Sequence, residues 1–319
     1  MTTSEFSLCQ NMLLGIAIGD AFGAGYEFVS GGVDAVEQSL DFESYASFRD
    51  ADHFITPGMY TDDTQMSIAV AELLQSDDEF SPANLSERFV AYYRRDPING
   101  YAGGFQKFLN SVKSGKEFIE RIRPDSIRNG AAMRSVPLGL EADVDRVVRY
   151  AKINASLTHN TPKGIASSIA VALASYYFIY SEAEAVRVFD FIDPYIRQID
   201  AESAGHFQNI RGMTALDPAI IYGGRPPVKG IPSDGILTAG AVLYLITTYS
   251  DLSALLKAAV LLGGDTDSVA SIAMGIAAAR YPLSGLPEFL FRDLTNHAYG
   301  RDYLLELGRR LQVKYFGSS

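Results

Sequence analysis

The chain has 319 residues, of which 47% are hydrophobic and 20% charged, and it carries a formal net charge of −11 with one cysteine, Cys9. This composition is ordinary for a globular protein with a large core, and a lone cysteine excludes both an intrachain disulfide and a thiolate zinc site. The acidic balance, without a Lys/Arg stripe, argues against a nucleic-acid partner, and the N-terminus lacks the basic region of a signal peptide. We therefore expect a cytoplasmic protein with one domain over residues 1–319 and no membrane or nucleic-acid partner.

The first apolar segment, GIAIGDAFGAGYEF, carries Asp20 and Glu27 among glycines at positions 15, 19, 23 and 25. The glycine spacing does not fit a dinucleotide-binding fingerprint, because the glycines follow a helical stretch and Phe28 stands where the third glycine is required. We interpret the glycines instead as sites where another backbone approaches closely.

The segment YTDDTQMSIAVAELL places Thr61, Asp62, Asp63 and Thr64 where a loop enters an amphipathic helix. These side chains can cap the helix, because Thr and Asp oxygens accept hydrogen bonds from the first free amides. Alternatively they bind a cation, since two adjacent carboxylates repel each other unless a positive charge lies between or beside them. The motif taken alone leaves both interpretations open.

Helix signals continue through the rest of the chain, whereas only LQVKYF near the C-terminus alternates as a strand would. The uncharged segment 164–181 contains four serines and three tyrosines, which favours a buried core helix over a membrane span. The fold class is therefore predicted to be all-α, as a compact multi-helix body. The predicted helix starts are Ser81-Pro82, Thr161-Pro162, Ser181 with Glu184 as a capping box, Ser233, and Asp251 before a helix that stops at Gly263-Gly264.

The segment GGDTDSVASIAMGIAAARYP repeats the earlier design, with Asp265, Thr266, Asp267 and Ser268 between a glycine turn and a small-residue helix. Two such junctions supply the oxygen-only ligands that Mg²⁺ and Mn²⁺ prefer, while zinc is disfavoured because no His or Cys accompanies them. If the junctions meet in space, they can hold two ions roughly 3.5–4 Å apart.

Five segments together resemble the ADP-ribosylglycohydrolase family, in the family's order and over nearly the whole chain: GDAFGAGYEF, YTDDTQMSIA, RNGAAMRSVPLGL, ASLTHNTP and GGDTDSVASIAMGIAAARYPLSGLP. The resemblance implies an all-α domain whose central cleft holds two divalent cations, for which Mg²⁺ is the first candidate and Mn²⁺ the alternative. The implied metal ligands are Thr61, Asp62, Asp63, Asp265, Asp267 and Ser268. Ser268 stands where family members usually carry threonine.

The resemblance also assigns roles outside the ligand set. Glu27 aligns with a mobile glutamate that contacts a metal and governs the entry of water or substrate, and Asp20 resembles a residue that supports the site from behind. The implied catalytic residues are Glu27, Asp62 and Asp267. The implied substrate-binding residues fall in three segments. Ser126, Asn129 and Gly130 belong to a turn, from Ser126 to Ala132, that faces a diphosphate. Asn99 and Gly100 lie in an earlier loop, and His159 lies on the cleft floor.

One position departs from the family pattern. Asn99 stands where members that act on ADP-ribosyl-arginine often carry an acidic residue, so the resemblance does not extend to arginine specificity. Tyr101 and Phe105, beside Gly103-Gly104, are candidates for a substrate loop, and Tyr222 and Tyr299 are candidates for stacking on adenine.

The implied function is hydrolysis of an ADP-ribosyl bond, with release of ADP-ribose from a modified protein or a small molecule. Two alternatives stay open at this point. One is a non-catalytic ADP-ribose-binding or structural protein of the same fold, and the other is a metal-dependent hydrolase of another nucleoside derivative.

Overall fold

A computed structural model describes residues 6–46, 49–50, 53–54 and 56–317. Over these residues the chain is helical, apart from an antiparallel pair of two-residue strands, β1 (Arg49–Asp50) and β2 (His53–Phe54). The all-α prediction is confirmed. The α-helices are α1 (Leu8–Ala24), α2 (Gly32–Ser39), α3 (Asp62–Gln75), α4 (Pro82–Arg95), α5 (Gly103–Ser111), α6 (Gly115–Arg121), α7 (Val144–Ser156), α8 (Pro162–Tyr180), α9 (Val188–Ile199), α10 (Ala201–Arg211), α11 (Pro218–Ile221), α12 (Gly235–Thr248), α13 (Leu252–Leu261), α14 (Thr266–Ala278), α15 (Phe289–Arg292) and α16 (Arg301–Phe316). Short 3₁₀ helices span Asn129–Ala131, Val136–Leu140, Ala185–Arg187, Pro227–Lys229 and Leu283–Gly285.

Helices α1 and α14 pack with their backbones almost in contact, along a stripe of glycines on α1. A Cβ atom at Gly19 would lie 2.3 Å from the carbonyl oxygen of Ala270, and one at Gly23 would lie 2.5 Å from that of Thr266. Small residues on both helices permit this approach. The packing brings the C-terminal end of α1, with Asp20, beside the first turn of α14.

Helix α8 lies in the core, and Gly164, Ile169 and Phe178 are among its many buried residues. The prediction of a buried core helix over 164–181 is confirmed. Among the described residues, we find no helix with the length and apolar content needed to cross a bilayer. The domain span 1–319 stays a prediction, because the chain ends lie partly outside the described ranges.

Most predicted helix starts are confirmed. Ser81, Thr161 and Asp251 each accept a hydrogen bond from an amide in the first turn of α4, α8 and α13. The cap of α12 is Asp234 rather than Ser233, because its carboxylate accepts from two amides of the first turn and suits the helix dipole.

Two local predictions are wrong. Ser181 ends α8 instead of starting a helix, and its hydroxyl accepts from the amide of Ala183, so no capping box forms with Glu184. The LQVKYF segment lies in α16 rather than in a strand. There the burial of Leu304, Leu307 and Leu311 follows the helical period, which outweighs the short alternation.

Candidate metal and substrate cleft

Asp20 on α1 caps the start of α3 from outside the helix. Its carboxylate accepts hydrogen bonds from the amide and hydroxyl of Thr61, at 2.8 to 3.0 Å, and from the amide and hydroxyl of Thr64, at 2.9 and 2.6 Å. The Thr61 side chain donates to Asp20 and caps no amide of α3. Because Asp20 satisfies these donors, the carboxylates of Asp62 and Asp63 are not needed as caps.

The second aspartate junction is held by its glycine turn. Gly263 and Gly264 have φ values of +64° and +77°, which favour glycine, and the amide of Asp265 donates to the carbonyl of Ile231 at 2.8 Å. The hydroxyl of Thr266 donates to the carbonyl of Gly23 at 2.7 Å, which ties the turn to α1. Asp265 also starts α14 without a side-chain cap.

The two junctions meet although they are about 200 positions apart in the chain. The Ser268 hydroxyl lies 3.3 Å from Oδ2 of Asp63, across a separation of 205 positions. Carboxylate oxygens of Glu27, Asp265 and Asp267 lie within 4.8 Å of one another. We call the residues Glu27, Asp62, Asp63, Asp265 and Asp267 the acidic cluster.

Burial and mutual repulsion dominate the electrostatics of the acidic cluster. Burial, followed by the charge of Asp20, raises the pKa of Asp62 from 3.8 to about 8. Burial, followed by neighbouring carboxylates, also raises the pKa of Asp63, Asp267 and Glu27 well above the ordinary carboxyl range. Such raised pKa values mark carboxylates gathered without enough positive charge around them.

The donor set fits divalent cations. Oδ1 of Asp63 is buried and, within the described residues, has no hydrogen-bond partner. The buried guanidinium of Arg134 does not fill this need, because its donors go to Asn154 and Thr158. Oxygen ligands alone, in excess of nearby cations, suit Mg²⁺ or Mn²⁺ better than zinc.

The acidic cluster lines a cleft of about 310 Å³. Part of the cleft wall is apolar and includes Met66, Phe105, Ile122 and Met133. Two exposed cations that the sequence analysis missed, Arg123 and Arg128, also line the cleft. The position of Arg128 directly before Asn129-Gly130 was the available signal. The sequence-predicted residues that line the cleft are Glu27, Asp62, Asp63, Gly100, Ser126, Asn129, Gly130, His159, Asp265, Asp267 and Ser268.

The turn at 126–132 is fixed from behind. The Asn129 amide donates to the hydroxyl of Thr238 at 3.2 Å, and the amide of Gly235 donates to the carbonyl of Ile127 at 3.0 Å. A Cβ atom at Gly130 would lie 2.9 Å from the ring of His159, so glycine is required for this close contact. The turn and His159 therefore form one continuous surface of the cleft.

His159 is held by a buried relay. Arg134 donates to the Thr158 hydroxyl at 2.7 Å, and this hydroxyl lies 2.7 Å from Nδ1 of His159. Burial, followed by the charge of Arg134, lowers the pKa of His159 to about 3, so the imidazole is neutral. The Thr158 hydroxyl accepts from Arg134, and its other contact among the described residues is Nδ1 of His159, so donation of its proton to Nδ1 would place the hydrogen of His159 on Nε2.

Two predicted residues line a different cavity. Thr61 and Asn99 line a neighbouring cavity of about 150 Å³, separate from the cleft. Gly100 has φ +116° and lies against Asp62, where a Cβ atom would be 2.5 Å from the carboxylate. Among the aromatic candidates, Phe105 lines the cleft, whereas Tyr101, which is buried, and Tyr222 and Tyr299 do not.

Comparisons with known proteins point in one direction. A family model described as ADP-ribosylglycohydrolase matches residues 1–318. The ADP-ribosylhydrolase ARH3 of Xenopus tropicalis is 24% identical over 321 residues, covering 90% of this chain and 91% of the relative. The ADP-ribosyl-(dinitrogen reductase) glycohydrolase of Rhodospirillum rubrum is 25% identical over 286 residues, covering 86% and 85%. A solved chain of an ADP-ribosylglycohydrolase-related protein complex matches with a TM-score of 0.70 over 98% of both chains at 22% identity, which shows the fold.

Proposed function

Because the chain belongs to the ADP-ribosylglycohydrolase family, a family of enzymes, we propose that its cleft hydrolyses the bond between ADP-ribose and an acceptor group with the help of two divalent cations. The observation that carries this proposal is the acidic cluster. Its carboxylates come from three separate segments, line one cleft with the four aspartates buried and Glu27 half-buried, and include an oxygen of Asp63 without a partner among the described residues.

The proposed ligands are Thr61, Asp62, Asp63, Asp265, Asp267 and Ser268. When bound, Mg²⁺ or Mn²⁺ supplies positive charge that orients the ribose hydroxyls and makes water a better nucleophile. Ser268 supports this assignment because its hydroxyl already faces Asp63. Serine supplies the same oxygen as the threonine usual in the family, without the methyl group that stiffens the side chain.

The rest of the cleft binds and orients the ADP-ribosyl group. The turn at Ser126, Asn129 and Gly130 presents backbone amides to the diphosphate, and Arg123 and Arg128 add positive charge. His159 donates a hydrogen bond through Nε2. The apolar wall near Phe105 accepts the adenine.

Glu27 acts at the bond that breaks. A water molecule attacks the anomeric carbon of the ribose, and the carboxylate of Glu27 takes its proton. The glycosidic bond breaks, and the acceptor leaves with its electron pair and takes a proton from solvent. Glu27 lines the cleft, and its carboxylate lies within 4.8 Å of carboxylate oxygens of Asp265 and Asp267, which supports a place beside the proposed ions and the attacking water. Asp62 and Asp267 orient the reacting groups as the other catalytic residues.

The acceptor class separates the remaining candidates. Substrates carrying ADP-ribose on arginine, on serine and on a small molecule are incubated with the protein, with Mg²⁺ or Mn²⁺ and with a chelator. We expect metal-dependent release of ADP-ribose from at least one of them. If no substrate releases ADP-ribose, the non-catalytic alternative would be favoured, although the intact aspartate motifs argue against it. If only another nucleoside derivative is hydrolysed, the protein would be a metal-dependent hydrolase of that class. A cytoplasmic location agrees with the single buried cysteine.

A further inference from the structure

A second cavity, of about 460 Å³, lies beside the cleft. Phe28 lines both cavities and forms the partition between them. Its side chain is 50% exposed, and its φ of +44° is the one positive value at a non-glycine residue among those described. In this conformation Glu27 lines the cleft while the next residue, Phe28, forms the boundary.

The second cavity adjoins the cleft beside residues of the acidic cluster. Gly264 lines the cavity, and the next residue, Asp265, lines the cleft. The amide of Phe28 donates to the carbonyl of Gly264 at 2.8 Å. A Cβ atom at Gly230 would lie 2.1 Å from the carbonyl carbon of Gly263, so the loop on the far side packs directly against the same turn. Any group bound in the second cavity therefore lies close to the acidic cluster.

The charge of the second cavity is opposite to that of the whole chain. Its ionisable lining residues are Arg225 and Lys229, in a protein of net charge −11. Both are exposed, and within the described part of the chain neither forms an ion pair. The other lining residues are apolar, glycine or proline. An incoming anion would meet two cations and no competing carboxylate on the cavity wall.

We infer that the second cavity is an acceptor subsite, which binds an acidic side chain next to the ADP-ribosylated residue of a polypeptide substrate. This inference rests on the proposed function, which places the bond to be cleaved at the acidic cluster. With ADP-ribose filling the cleft, the acceptor lies on the side of Phe28, which lines both the cleft and the second cavity. Arg225 and Lys229 then stand beside the residues that flank the modified side chain.

The test compares three ADP-ribosylated peptides that differ only in the flanking residues, which are glutamate, glutamine or lysine. The modified residue carries the linkage, arginine or serine, that the wild-type protein turns over. With Mg²⁺ at low ionic strength, we expect kcat/KM for the glutamate peptide to exceed that for the lysine peptide by about ten-fold, the scale of two exposed ion pairs. The preference shrinks as salt is added, because exposed charges are screened.

Charge reversal makes the test local. The double variant Arg225→Glu/Lys229→Glu is expected to prefer the lysine peptide, and the ratio is measured within one preparation, so partial unfolding does not imitate the result. Arg149→Glu/Lys152→Glu on α7 changes the net charge equally at exposed residues that line neither cavity, and it should keep the wild-type order.

The outcomes separate the subsite from the enzyme. Equal kcat/KM for the three peptides, an unchanged order in the double variant, or turnover of small-molecule substrates alone would overturn the acceptor subsite and leave the hydrolase. Release of ADP-ribose from no substrate in the presence of metal would overturn the proposed function and the subsite with it.

Discussion

At the residue scale, Glu27 combines burial with a place in the acidic cluster, although the glycine-rich turn that holds it is far in sequence from both aspartate motifs. Its carboxylate makes no side-chain hydrogen bond to the described residues that would explain its position structurally. A role in the proposed reaction would explain why a glutamate lies there.

We predict that Glu27→Gln lowers kcat by about 10²-fold, because glutamine keeps an acceptor oxygen but cannot take a proton from water. The affinity for ADP-ribose, measured by titration calorimetry on the same preparation, should change little, since the aspartates remain. Glu37→Gln on α2, an exposed glutamate, serves as the control. Normal turnover in Glu27→Gln would remove this residue from the mechanism, and lost ADP-ribose binding would make it a substrate contact.

The relay behind His159 gives a second prediction at this scale. Thr158→Val removes the hydroxyl between Arg134 and Nδ1 of His159, so Nε2 is no longer the sole protonated nitrogen. We expect ADP-ribose affinity to fall by about five- to ten-fold, the value of one hydrogen bond. Thr158→Ser keeps the hydroxyl and should bind as the wild type does.

A purely structural Thr158 would leave the tautomer unchanged. The ¹⁵N chemical shifts of the His159 ring decide this, because protonated and unprotonated nitrogens resonate far apart, and the His159→Gln variant assigns the signals. If Nδ1 of His159 is already protonated in the wild type, the relay does not hold the imidazole as we describe.

At the element scale, the glycine stripe of α1 positions the acidic cluster by pressing α1 against α14. Asp20 follows Gly19 directly on α1 and holds the hydroxyls of Thr61 and Thr64. A displacement of α1 would therefore disturb both aspartate junctions together.

We predict that Gly19→Ala destabilises the protein by about 1–3 kcal/mol, the usual range for overpacking, because the new Cβ would overlap the backbone of Ala270. Metal affinity should fall as well, since Asp20 moves with α1. Gly205→Ala on α10 is the matched control, because nothing lies within 4 Å of its added Cβ. We expect this variant to be more stable than the wild type by about 0.5–1 kcal/mol, because alanine favours the helix over glycine. Equal melting temperatures for the two variants would contradict the proposed packing.

The helix caps show which features the sequence could predict. Ser81, Thr161 and Asp251 each cap a helix through the amide three positions further on, so the local sequence is enough to predict their role. Asp20 caps α3 from 41 and 44 positions away, which no local pattern contains. Likewise, the sequence predicted two carboxylate pairs but could not show that Ser268 reaches Asp63, which depends on the packing of α1, α3 and α14.

At the scale of the whole molecule, folding gathers the acidic cluster in the interior of a chain with net charge −11. Burial of these carboxylates next to one another is unfavourable, and the rise in the pKa of Asp62 from 3.8 to about 8 reflects part of that unfavourable free energy. A carboxyl group whose pKa is raised on folding stabilises the folded state below its unfolded pKa and loses that contribution as the pH rises through the folded pKa. The raised pKa values of Asp63, Asp267 and Glu27 act in the same direction.

We therefore predict that the melting temperature of the chelator-treated protein falls between pH 5 and pH 8, the window between the ordinary and raised pKa of Asp62. Mg²⁺ or Mn²⁺ should raise it more at pH 8 than at pH 5, because at pH 5 the ion must displace bound protons. At 100 times its Kd a single bound ion adds about 2.7 kcal/mol to the free energy of unfolding.

Asp267→Asn, which removes one carboxylate, should lower metal affinity by about ten-fold or more, which is about 1.4 kcal/mol of binding free energy. Differential scanning calorimetry at both pH values measures these shifts, and a metal response equal at pH 5 and pH 8, or unchanged in Asp267→Asn, would show that the acidic cluster is not where the ions bind.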